Sequence, residues 1–74
     1  MTSQFVSRKS REFFRGKKAI VTTEQQNLGG EIIKKDEVVT ILCKNQRSKY
    51  DLDIESESGV KISGVWCEYL ELVK

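Results

Sequence analysis

The chain has 74 residues, 38% of them hydrophobic and 32% charged, with a formal net charge of +2. That length holds a single domain, whose core is worth roughly a few kcal/mol net, so the fold is expected to lean on a partner or an oligomer. The composition is that of a globular and not a disordered chain. No apolar run approaches the ~20 residues that cross a bilayer.

The segment Met1–Lys9 lacks the apolar stretch of a signal peptide. These features point to a cytoplasmic protein with no membrane partner, as a monomer or a weak homodimer. The small net charge hides an asymmetry. Residues 1–18 carry Arg8, Lys9, Arg11, Arg15, Lys17 and Lys18 against Glu12, a net of +5, while residues 19–74 carry seven basic and ten acidic side chains, a net of −3. A basic arm on a mildly acidic body is the main electrostatic feature.

Residues 1–15 form the arm and 16–74 the β-domain. Thr2 to Phe14 admits two readings. In one it is a short helix capped by Thr2 or Ser3, with Val6 and Phe13 seven apart on one face, Phe13 packed on the body and Arg8–Arg11 in water. In the other it is a flexible arm that orders only on a polyanion. Gly16–Thr23 reads as a first strand after a glycine turn, with Ala19 and Val21 inward and Lys18 and Ile20 outward.

Glu24–Gly30 is a polar loop ending in Asn27-Leu28-Gly29-Gly30. Its glycines lack the following Lys-Ser/Thr and the helix that a phosphate-binding loop requires. Glu31–Lys44 is the stretch around which the rest is organised. Ile32-Ile33 leads into a polar turn, Lys34-Lys35-Asp36-Glu37, which has no glycine and so suits a type I turn without positive φ. The β-branched run Val38–Leu42 follows as the best strand. Alternation puts Val39, Ile41 and Cys43 on one face and Val38, Thr40 and Leu42 on the other.

Asn45–Ser48 is a loop flanked by Lys44 and Lys49. Tyr50–Glu55 alternates strictly, with Tyr50, Leu52 and Ile54 on one face and Asp51, Asp53 and Glu55 on the other. Ser56–Gly59 is a hairpin turn, and Val60–Ser63 returns with Val60 and Ile62 inward. Gly64–Glu68 suits one helical turn, and Tyr69–Val73 closes the chain as a strand. Five short strands with regular turn signals predict a mainly β fold, a small five-stranded barrel with protected edges.

The order of these features resembles the SH3-like barrel superfamily. Ile33-Lys34-Lys35-Asp36-Glu37-Val38-Val39-Thr40-Ile41-Leu42 is similar to its diverging turn, written hydrophobic-Lys-Lys-Gly-Asp, without the glycine. The hairpin from Tyr50-Asp51-Leu52-Asp53-Ile54 through Gly59-Val60 to Val65 resembles that of Tudor-like and KOW-like members. The ending Trp66–Val73 resembles the helical turn and last strand. The resemblance spans residues 16–73 and implies an SH3-like fold. Of the SH3 peptide groove only Tyr69 stands at a matching position. Trp66 takes the place of the groove proline, and Tyr50 lies near the usual tryptophan. A Tudor-type cation cage would draw on Tyr50, Trp66 and Tyr69.

Catalysis finds little footing. Asp51, Asp53 and Glu55 share a strand face but have no histidine, nucleophile or pocket signal beside them, which reads as a solvated face. The same triplet lacks the loop of a calcium site. Cys43 and Cys67 fall short of the four ligands of a structural zinc, and no histidine is present to complete a set. They read as small, partly buried hydrophobes. No cofactor, metal or small-molecule substrate is expected.

A binding module remains. Its nucleic-acid candidates are Arg8, Lys9, Arg11, Arg15, Lys17, Lys18, Lys44, Arg47 and Lys49, which neutralise phosphates, with Phe5, Phe13, Phe14, Tyr50 or Trp66 to stack on unpaired bases. The competing reading is a protein-interaction module, or a small phage or bacterial accessory protein that modulates a host protein. It would use Tyr50, Asp51, Asp53, Glu55, Trp66 and Tyr69.

Overall fold

β-Branched and aliphatic residues at alternate positions build a five-stranded antiparallel sheet in the order Lys61–Trp66, Asp51–Ser56, Val38–Lys44, Lys18–Val21, Leu70–Leu72. The computed structural model describes residues 1–73; Lys74, the last residue of the 16–74 body, lies outside them. The strands are β1 (Lys18–Val21), β4 (Val38–Lys44), β5 (Asp51–Ser56), β6 (Lys61–Trp66) and β7 (Leu70–Leu72). A separate hairpin, β2 (Gln25–Gln26) with β3 (Ile32–Ile33), rises between β1 and β4. The described residues therefore form the five expected strands as one sheet, and two further short strands in this hairpin. The polar loop pairs with Ile32-Ile33 because Asn27 ties the turn between them: its Oδ1 accepts from Glu31 N at 2.9 Å and its Nδ2 donates to Lys61 O of β6 at 3.1 Å.

β1 alternates as expected, with Ala19 and Val21 buried. Leu52 and Ile54 are buried from β5, Ile62 and Val65 from β6, and Leu70 from β7. Tyr50 departs from the alternation. The strand starts at Asp51, so Tyr50 sits in the preceding turn, exposed, and does not share the inward face of Leu52 and Ile54. β6 runs on through Gly64–Trp66, and the single helical turn comes later, as a 3-10 turn over Cys67–Tyr69.

The polar turn before β4 corrects the expectation of an all-negative-φ turn. Asp36 has φ 75°. It stands where the resembled motif has glycine, and a short polar side chain is among the few that tolerate the left-handed region. Asp36 N donates to Val21 O at 2.7 Å, which anchors that conformation.

Two β-bulges flank Asp53. On β4 the register shifts between Ile41 and Cys43, so Leu42 is an extra residue; on β6 both Ser63 and Gly64 face the space opposite Asp53. Gly64 takes φ 77°, a conformation suited to glycine. The β4 bulge overturns the alternation beyond Ile41. One extra residue inverts the faces, so Cys43 is only half-buried and Lys44, opposite the core residue Leu52, turns inward.

The N-terminal segment packs on the sheet. α1 spans only Ser3–Ser7, capped by Thr2 Oγ1, which accepts from Phe5 N at 3.2 Å. A 3-10 turn follows over Glu12–Phe14. Because the helix stops at Ser7, the seven-residue spacing no longer holds one face: Phe14 and not Phe13 is the fully buried aromatic, beside Val6.

Candidate nucleic-acid interface

Lys44 holds this region together. It was expected on the basic surface, but its side chain is 6% exposed. Its stem lies on the core face, and Nζ donates to Val6 O at 3.0 Å and Lys9 O at 2.8 Å. Those carbonyls belong to the last turn of α1 and the residues just after it; Val6 O also accepts from Lys9 N at 3.2 Å, so the cation is a second donor there and the donor for Lys9 O. Arg11 completes the clamp from outside. Its Nε donates to Lys44 O at 3.3 Å, and its guanidinium approaches Cys43 Sγ at 3.6 Å. The arm therefore lies against the end of β4, where the Asn45–Lys49 loop begins.

Other arm cations are partly engaged. Lys9 and Lys17 lie over the Phe13 ring, 4.7 and 4.6 Å from its centroid, and Lys9 also meets Phe5 at 5.3 Å. Phe5, Phe13 and Phe14 form edge-to-face pairs with one another. Arg15 is bidentate to Glu12, at 2.7 and 3.1 Å, and this hydrogen bond and its charge raise the guanidinium further above its ordinary value. It forms the one ion pair among the described residues, so most basic side chains keep their charge for solvent or a partner. Lys18 Nζ donates to Thr40 Oγ1 on the opposite side of β1 from the core. Arg8 and Arg47 make no side-chain hydrogen bond or ion pair among the described residues, and Lys49 lies over the Tyr50 ring at 5.2 Å.

Beside the loop is a polar cavity of about 400 Å³ lined by Asn45, Gln46, Arg47, Asp53 and Ser63. Asp53 is its most organised group. Its Oδ1 accepts from Asn45 Nδ2 at 2.9 Å, Gly64 N at 2.9 Å and Ser63 Oγ at 3.1 Å. Its Oδ2 meets only the Cys43 thiol, at 3.8 Å. Burial alone would raise this carboxyl. The hydrogen bonds from Asn45, Gly64, Ser63 and Cys43 outweigh burial and hold it below its ordinary value.

Asp51 shares the outer face with Asp53 and pairs across the strands with Trp66, whose ring meets Tyr50 edge-on at 6.2 Å. Glu55 lies further along, between Thr40 of β4 and Lys61 of β6. Tyr69 is exposed and joins no aromatic pair among the described residues. Tyr50 and Trp66 thus come together without it.

No group of three or more metal-ligating side chains occurs among the described residues. Both cysteines are free: Cys43 is half-buried and Cys67 lies in the core, where burial pushes its thiol up. Among the described residues no helix is long and apolar enough to cross a membrane. Sequence reasoning missed the Asp53 cavity, because it depends on two bulges that no residue pattern announced beyond Gly64 itself. No protein-family model, curated protein or solved structure matches the chain.

Proposed function

We propose that the protein is a non-enzymatic binding module that engages unpaired nucleic acid, or a nucleoprotein, along the seam between the N-terminal segment and the β4–β5 loop. The observation that carries this reading is the Arg11–Lys44 clamp. It joins the arm, with Arg8, Lys9 and Lys17, to the start of the loop that bears Arg47 and Lys49. Phosphates meet the cations, while Phe5, Tyr50 and Trp66 offer ring surface to bases. We further propose that the sheet belongs to a small SH3-like barrel. The strand order, which sets the last strand beside the first, supports this, as do the long excursion after β1 and the 3-10 turn ahead of β7.

Fluorescence anisotropy with a labelled single-stranded oligonucleotide at rising salt tests the reading. Each lost phosphate contact flattens the log–log salt slope by about 0.7 for single strands. Replacing Arg8, Arg47 and Lys49 together by Ala flattens it by about 2 on that scale. Absence of binding at low salt, or an unchanged slope in the variant, refutes the reading.

One observation favours a protein partner instead. Leu28 is 108% exposed at the tip of the β2–β3 hairpin, on an uncharged turn held by Asn27. Binding that is insensitive to salt and lost on Leu28→Asp would favour that reading.

A further inference from the structure

We infer that the Asp53 cavity is a base-reading subsite that takes an unpaired nucleobase carrying an exocyclic amino group and disfavours uracil. The inference rests on the nucleic-acid reading above and adds to it a source of sequence preference.

The argument starts from the two oxygens of Asp53. Oδ1 already accepts three hydrogen bonds, from Asn45, Ser63 and the Gly64 backbone. Oδ2 has only a thiol at 3.8 Å, beyond the range of a strong hydrogen bond. The carboxylate is thus fixed in orientation, with acceptor capacity to spare on the oxygen that its anchors do not use. It lines a cavity of about 400 Å³, room for a flat heterocycle. The bulges on both flanking strands open the sheet at this point and re-aim side chains, a placement that bulges commonly have beside functional sites.

A stacking surface lies at the right spacing. Asp51 is two residues from Asp53 on the same face, roughly 6.7 Å along the strand, and Trp66 is directly opposite Asp51 with Tyr50 against it. The two rings stand at 69° to each other and do not line the cavity, so a base stacks on one of them, beside the cavity.

Charge then decides which part of a nucleotide enters. Asp51, Asp53 and Glu55 repel phosphate from this face, while Arg47, which lines the cavity on its loop side, and Lys49 of the same loop attract it. The backbone is drawn to the cations and only a splayed base turns onto the carboxylate. An ionised carboxylate accepts and does not donate. It pairs with the N4 amino group of cytosine, whereas uracil offers it one N3–H set between two carbonyls, O2 and O4, whose lone pairs repel the carboxylate.

The test compares short unpaired oligocytidine and oligouridine by fluorescence anisotropy at neutral pH and fixed salt. These bases differ at position 4, amino against carbonyl, and at N3, an acceptor in cytosine and an N–H donor in uracil. The wild-type protein binds oligocytidine at least about tenfold more tightly, the worth of one hydrogen bond to a charged acceptor. In Asp53→Asn the amide keeps an oxygen for Asn45, Ser63 and Gly64 and presents an NH₂ where Oδ2 was, so the preference is lost or turns toward uracil. Equal wild-type affinity for both oligomers overturns the subsite while leaving the nucleic-acid reading standing. No binding to either overturns both. If Asp53→Asn does not fold, the wild-type comparison alone decides. If it folds and keeps the full cytosine preference, the subsite is overturned.

Discussion

Replacing Lys44 by Met removes one ammonium group and keeps an unbranched apolar stem. Lys9 O then loses its donor, while Val6 O keeps the Lys9 N–H at 3.2 Å. If the N-terminal segment stays in place, the one carbonyl left without a partner costs about 1–3 kcal/mol, offset in part because a buried cation no longer has to be desolvated. If the segment swings out, the carbonyls regain water, but Val6 and Phe14, both fully buried, leave the core at about 1.5–3 kcal/mol each. The chain takes whichever response is cheaper, and the expected loss is about 1–3 kcal/mol. For a domain of this size that is a large share of the total and lowers Tm by roughly 10 °C. Denaturant titration measures the loss. Amide exchange locates it: the Val6 and Lys9 N–H groups, which donate to Thr2 O and Val6 O, exchange faster, while β4 and β5 keep their order of protection. A stability change within about 0.5 kcal/mol, the usual span for an uninvolved surface position, with unchanged exchange at Val6 and Lys9, refutes the clamp.

Other consequences can be measured separately. A thiol reagent applied to the native protein at neutral pH labels Cys43 and spares Cys67, which is fully buried with its thiol pushed up; equal labelling contradicts the core assignment. Because Asp53 titrates below its ordinary value of 3.8 in the folded chain, the unfolded chain binds more protons as pH falls past that value. The carboxylate's contribution to stability is therefore full above that range and is lost as pH drops through the lowered folded value. Asp53→Asn removes this part of the acid slope. Asp36→Gly relieves a left-handed residue and shifts stability by up to about 1 kcal/mol in the favourable direction, while Asp36→Val destabilises; thermal melts of the two variants check the sign. Leu28→Asp leaves Tm unchanged, since the side chain is fully solvent-exposed.

The strands were legible where a single period runs unbroken. Ala19/Val21 and Leu52/Ile54 alternate in the sequence and are buried in the fold. The hairpin at Ser56–Gly59 was legible from its turn residues, and Gly59 takes the positive φ its type allows. What escaped was local disruption of that period. Leu42 is an ordinary strand residue, and nothing about it marks an inserted position, yet the bulge there carries Lys44 from the solvent face to the core face. The candidate interface differs accordingly: Lys44 is its internal fastener, while among the described residues Arg8 and Arg47 make no side-chain hydrogen bond or ion pair and Lys49 meets only the Tyr50 ring. The arm was misread in detail for a related reason. Val6 and Phe13 fit one continuous helix, but the helix ends at Ser7 and the chain re-enters as a 3-10 turn that buries Phe14. The Asp53 cavity was illegible because it joins residues from β5, β6 and a loop across two register shifts.

The central claim is that the N-terminal segment and the β4–β5 loop form one nucleic-acid face. A two-dimensional amide NMR titration with single- and double-stranded oligonucleotides, at low and near-physiological salt, tests it most directly. Shifts that fall together on residues 8–18 and 45–50, and persist at the higher salt with the single strand, are the expected result. Shifts that vanish with modest salt, or that map instead to the β2–β3 hairpin around Leu28, contradict the account.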